Sequence, residues 1–150
     1  MRKILTFSAV VMMCLVVFAG CSKKSSSSTP SYTMKATVGT TSFTAANCVA
    51  SNVNGLTAII GWAGTSSTPA PPYIEIYLTG YNKTTGTFSL TGALTANYAS
   101  YYENSTTASV STTGTLTIAS ASTTSIVGSF SFTTTDGTVV SNGTFTAKGY

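Results

Sequence analysis

The chain has 150 residues, of which 7% are charged, against about 25% in an ordinary soluble protein. It contains no histidine, which removes the base of serine and cysteine triads and the commonest zinc ligand. Its formal charge is +4, yet Lys23, Lys24, Lys35, Lys83 and Lys148 are too scattered to track a phosphate backbone, so nucleic acid is excluded as a partner.

At the N-terminus, Arg2 and Lys3 precede an uncharged run from Ile4 to Phe18, and the small residues Ala19 and Gly20 lead into Cys21. This is the plan of a secretory signal peptide, with an apolar region too short to span a bilayer comfortably. The residues "FAGC" resemble a bacterial lipobox, with Phe18 standing where leucine is commonest. The resemblance implies cleavage before Cys21, a diacylglyceryl group on its thiol and acylation of the new amine. An ordinary signal sequence followed by a chance cysteine is the alternative. Each buried methylene contributes about 0.8 kcal/mol and a single chain binds only reversibly, so two or three chains on Cys21 would make a lasting membrane anchor.

Removal of residues 1–20 takes Arg2 and Lys3 and lowers the formal charge from +4 to +2. The next stretch, "CSKKSSSSTPS" at residues 21–31, is polar and lacks the apolar content to fold, so it is expected to be a flexible leash. Lys23 and Lys24 either touch anionic headgroups or are simply solvated. The expected location is the bacterial envelope, with the outer membrane favoured and the periplasmic or surface face left open.

Residues 32–150 are expected to form one all-β domain, an antiparallel sandwich or barrel of about eight to ten strands, because period-two alternation recurs between Gly, Asn and Pro punctuation and no window has helical spacing. In "YTMKATV" (32–38), Tyr32, Met34, Ala36 and Val38 share a face, and "TSFTAANCVAS" (41–51) reads as a following strand. "GLTAIIGWAG" (55–64) carries Leu56, Ile59, Ile60 and Trp62 and leads to a proline loop, "TSSTPAPP". "YIEIYLTGY" (73–81) separates Ile74, Ile76 and Leu78 from Tyr73, Glu75, Tyr77 and Thr79, giving one apolar and one aromatic-polar face.

"NKTTG" reads as a turn into "TFSLTG", with Phe88 and Leu90 inward, whereas Tyr98, Tyr101 and Tyr102 in "ANYASYYEN" (96–104) fit neither period. Leu116 and Ile118 are in phase, as are Ile126, Gly128, Phe130 and Phe132. Asp136-Gly137 opens the last stretch, which contains Asn142-Gly143 and turns Phe145 and Ala147 one way. "GTFSLTG", "GTLTIAS" and "GTFTAKG" repeat a turn-and-strand grammar at unequal spacing.

The runs "ATVGTTSFTA", "TGTFSL" and "GTLTIASASTTSIVGSFSFTTTDGTVVSNGTFTAK" resemble a family of Bacteroidota lipoproteins with a single small all-β domain. The resemblance covers most of residues 32–150 and rests on strand and turn residues. It implies an envelope location and supplies no activity, catalytic residue or ligand. Some Bacteroidota lipoproteins carry acidic residues after the lipidated cysteine as a surface-export signal, where this chain has Lys23 and Lys24.

Of the three cysteines, Cys14 leaves with the signal and Cys21 is assigned to lipid, so Cys48 is left alone, most simply as a small buried hydrophobe. The acids are Glu75, Glu103 and Asp136. Glu75 and Glu103 are the only pair a glycosidase could use, and all three read more simply as solvated carboxylates, Glu103 and Asp136 in turn-like contexts. Nothing points to a catalytic residue, a metal or a cofactor.

The functional lead is aromatic. Trp62, Tyr73, Tyr77, Tyr81, Tyr98, Tyr101 and Tyr102 are the candidate ligand-binding residues, since flat rings beside amides such as Asn82 and Asn97 suit stacking on sugars or an apolar partner. The competing reading is that these rings line a core. Two functions follow as expectations: a non-enzymatic envelope lipoprotein serving as a structural or interaction module, and a carbohydrate-binding accessory lipoprotein using surface tyrosines. Asn82, Asn104 and Asn142 each open an Asn-x-Ser/Thr triplet, which would matter only in a eukaryotic secretory route.

Overall fold

The computed structural model describes residues 31–92, 96–104 and 107–150. The expected signal peptide, Cys21 and nearly all of the leash lie outside the described residues.

The described chain is all β. Strands β1 (Thr33–Val38) and β2 (Thr41–Ala45) form a hairpin, followed by β3 (Asn47–Val53), β4 (Leu56–Trp62), β5 (Tyr73–Thr79), β6 (Gly86–Ser89), β7 (Tyr98–Asn104), β8 (Thr107–Ala121), β9 (Ser125–Thr134) and β10 (Val139–Lys148). Seven of them close a barrel in the order β3-β4-β5-β7-β8-β9-β10. The neighbours are antiparallel, except at the closure, where Lys148 of β10 runs parallel beside Val49 of β3. The β1–β2 hairpin extends the sheet from β10, and β6 lies on β8. The architecture is thus a barrel of about the expected strand number, with one parallel closure in an otherwise antiparallel fold.

A barrel of this size has an interior just wide enough for side chains. Ile59, Ile74, Ile76, Leu78, Leu116, Ile118 and Ile126 fill it and are fully buried. Each contributes on the order of 1.5–3 kcal/mol. The phenylalanines fit because the neighbouring strand offers glycine opposite each: Phe130 faces Gly143, Phe132 faces Gly114 and Phe145 faces Gly128. A Cβ on Gly128 would come within 2.3 Å of the Thr117 carbonyl oxygen and 2.8 Å of the Phe145 ring, so the barrel cannot close around a larger residue there.

One sequence expectation is corrected, and one dipeptide is placed. Residues 41–51 are two strands, because the chain leaves the β1–β2 hairpin at Ala46 to enter the barrel. Asn142-Gly143 is a bulge inside β10: Asn142 has φ of 51°, and the register shifts between Val140 and Gly143. The bulge swings Gly143 into the interior, where the Phe130 ring covers it. Asn54-Gly55 makes the tight β3–β4 hairpin turn, with φ of 53° and 81°, the paired positive values that a two-residue loop between twisted strands favours.

Candidate functional site

The alternation of β5 sends Ile74, Ile76 and Leu78 inward and leaves Tyr73, Glu75 and Tyr77 on the outer face. Pairing with β7 then sets Tyr73 opposite Tyr102, Glu75 opposite Ser100 and Tyr77 opposite Tyr98. The tyrosines form two stacked pairs. The Tyr73 and Tyr102 ring centroids are 4.2 Å apart with planes 11° from parallel, and those of Tyr77 and Tyr98 are 4.7 Å apart at 22°. Such cross-strand aromatic pairs stabilise the sheet by roughly 0.2–1 kcal/mol each.

Between the pairs lies Glu75, half-buried, with the small and buried Ser100 across from it. The Tyr77 hydroxyl donates to Glu75 Oε2 at 3.0 Å. From the diagonal position on β7, Tyr102 also acts on the carboxylate and favours its charged form. Burial nevertheless raises the Glu75 pKa above the ordinary glutamate value, and the two tyrosines oppose that rise only in part. Tyr77 and Tyr102 are pushed up in turn, first by burial and then by the Glu75 charge, Tyr102 to about 12. Glu75 is therefore not the solvated carboxylate expected from sequence. No lysine pairs with it among the described residues: Lys35 and Lys148 are exposed, and Lys83 lies over the Tyr150 ring and donates to its carbonyl oxygen at 2.6 Å.

The flanking strands supply a support on one side and small residues on the other. Trp62 of β4, next to Tyr73, is 5% exposed, and its Nε1 donates to the Ser66 carbonyl at 2.9 Å, so the 63–72 loop roofs it. Beside Tyr77 and Tyr102 the cross-strand neighbours are only Ala58 and Ala108. Both rings are half-buried, and the next residues along those strands on the same face are Ile60, opposite Glu75, and Val110, opposite Ser100.

Four of the seven candidate residues, Tyr73, Tyr77, Tyr98 and Tyr102, are therefore brought together, and three are not. Trp62 is buried against the loop. Tyr101, opposite Ile74, packs against the interior cluster. Tyr81 does not extend the β5 row, because Gly80, with φ of 66°, turns the chain, and the ring is buried edge-on to Phe88. Sequence reading missed Ser100 as the buried residue opposite Glu75, because nothing local to "ANYASYYEN" fixes its pairing partner.

The other acids do not join this face. Glu103 is exposed at the penultimate position of β7, within the strand, and it acts electrostatically on Tyr101, on the other side of the alternation from Tyr102. Glu75 and Glu103 thus fail to form the facing pair that glycoside hydrolysis uses. Asp136 locks the β9–β10 turn by accepting from Ser109 Oγ at 2.6 Å, from the Thr138 amide at 3.0 Å and from Thr134 Oγ1. These bonds, that from Ser109 foremost, hold its carboxyl well below the usual range. Cys48 is fully buried, and desolvation pushes its thiol up to about 12, the behaviour of a structural side chain. Among the described residues no group of three or more His, Cys, Asp or Glu side chains could hold a metal, and no helix is long and apolar enough to cross a membrane.

An open depression of about 350 Å³ lies at the barrel closure, bordered by Tyr32, Asn47, Cys48 and Lys148. No family model matches the chain, and no curated protein or solved structure matches it either. The functional reading rests on the tyrosine face.

Proposed function

We propose that this chain is a non-enzymatic envelope lipoprotein, anchored through Cys21 and a serine-rich leash, whose β-barrel binds carbohydrate on the outer face of β5 and β7. The observation that carries the reading is the pair of stacked tyrosine couples around Glu75, with the small residues Ala58 and Ala108 opposite Tyr77 and Tyr102 on the flanking strands. A rigid sheet holds these rings, so little side-chain freedom is lost when a flat ligand stacks on them. The tyrosine hydroxyls and the carboxylate supply directional partners for sugar hydroxyls. The tether fits this role because it keeps a small binding domain at the membrane while the leash lets it search nearby polymer.

The test is binding of the barrel domain, residues 32–150, to a broad glycan panel, repeated with Tyr77→Ala. The reading predicts binding of at least one glycan class and about a fivefold loss of affinity in the variant, since stacking on one aromatic ring is worth on the order of 1 kcal/mol. Absence of binding across the panel would overturn it and leave the structural or interaction module, with an envelope protein as partner.

A further inference from the structure

The tyrosine face carries one charge, and its environment is unusual for a surface carboxylate. Glu75 is half-buried beneath hydroxyls, its named partners Tyr77 and Tyr102 are neutral, and no lysine neutralises it among the described residues. A carboxylate accepts about four hydrogen bonds, so the Tyr77 hydroxyl, even with Tyr102 close by, leaves acceptor capacity for a ligand. Aromatic rings around it add to the attraction of a cation, through their negatively polarised faces and hydroxyl oxygens. Folding keeps a desolvated, uncompensated negative charge at the centre of four tyrosines, although a glutamine of the same shape would accept the Tyr77 bond without that cost.

Resting on the carbohydrate-binding reading above, we infer that the β5–β7 face is specific for a sugar bearing a free, protonated amine, whose ammonium group seats against Glu75 between the Tyr73–Tyr102 and Tyr77–Tyr98 pairs. The commitment to an amino sugar over a lysine-bearing peptide follows from what lies beside the carboxylate. Tyr73 and Tyr77 are four residues apart, which separates the two pairs by about 13 Å along the strand, and the half-buried rings of Tyr77 and Tyr102, with only alanine across the flanking strands, border that space. A charged sugar ring at the centre thus has neighbouring residues of its own chain within reach of further stacking surfaces. A flexible alkylammonium chain would use only the charge.

The experiment compares a deacetylated glucosamine oligomer with the N-acetylated oligomer of the same length by titration calorimetry, using wild type and Glu75→Gln in a buffer where the free amine is protonated. Wild type is expected to bind the deacetylated oligomer about tenfold more tightly, a difference that fits one ammonium seated on a carboxylate among aromatic rings. Glu75→Gln is expected to remove the preference while keeping the weaker affinity for the acetylated form. Equal binding of the two oligomers by wild type overturns the inference and leaves carbohydrate binding standing. A lysine oligopeptide of equal charge that binds as tightly as the deacetylated oligomer overturns the sugar assignment. If neither oligomer binds, the inference falls, and the broad glycan panel decides separately whether the carbohydrate reading falls with it. The wild-type comparison of ligands needs no variant, so a folding defect in Glu75→Gln does not blunt it.

Discussion

A buried tyrosine hydroxyl stabilises a fold only when it has a partner, and Tyr77 and Tyr81 fall on opposite sides of that condition. Tyr77 donates to Glu75, whereas the Tyr81 hydroxyl is buried with no hydrogen-bond partner among the described residues. Tyr81→Phe should therefore leave thermal stability unchanged or raise it, by up to about 1 kcal/mol in chemical denaturation, because it removes a desolvated polar group and keeps the ring against Phe88. A clear loss of stability would mean that the hydroxyl has a partner after all. Glu75 is governed by the same desolvation. Its folded-state pKa is raised, so the folded chain holds that proton more tightly than the unfolded one, and its contribution to stability falls as pH rises from the ordinary glutamate range through the raised value. At neutral pH the carboxylate is thus a cost to folding, which is the physical ground for assigning it to a ligand.

At the scale of elements, the β9–β10 turn depends on a carboxylate of opposite character. Asp136 draws together Ser109, Thr134 and Thr138, and its lowered pKa means that it stabilises the fold above the ordinary aspartate range, with that stability lost as pH falls through the lowered value. Asp136→Ala should melt at a lower temperature than wild type near neutral pH, and the gap should narrow in strong acid, where wild type loses the same interactions. Circular-dichroism melts at the two pH values check this, and a gap that does not change with pH would contradict it. The turn also marks what was legible in the sequence. Asp136-Gly137 reads as a turn from its residues alone, while the bond from Ser109 on β8 comes from pairing across the barrel. The same division holds for β5, whose alternation separates inward Ile and Leu from outward Tyr and Glu but gives no sign that its partner is β7, beyond the intervening β6. Breaks in strands are encoded as changes of parity. Phe43 and Ala45 are buried at odd positions and Cys48 and Ala50 at even ones, which marks the departure at Ala46, and Val140 against Gly143, Phe145 and Ala147 marks the β10 bulge.

Over the whole molecule, closure of the barrel is what makes a face out of scattered tyrosines. The closed sheet gives the seven barrel strands a rigid curved wall, packed from inside by aliphatic residues and by phenylalanines seated on glycines, so β5 and β7 are held in fixed register. Composition and alternation were enough to reach an all-β fold of about eight to ten strands, because burial of alternate residues is a local pattern. The parallel closure of β10 on β3 was not legible, since it rests on Lys148 lying beside Val49, residues at opposite ends of the domain that share no local signal. For the same reason Tyr73, Tyr77, Tyr98 and Tyr102 were legible as candidates but not separable from Trp62, Tyr81 and Tyr101. The central claim is that the outer face of β5 and β7 is where ligand binds. The most direct test is mapping backbone amide and tyrosine ring shifts by NMR while the barrel domain is titrated with a glucosamine oligomer. The account predicts that the largest changes fall on Tyr73, Glu75, Tyr77, Tyr98 and Tyr102, with Tyr81 and Tyr101 little affected. Changes centred instead on Tyr32, Asn47 and Lys148 at the barrel closure would contradict it.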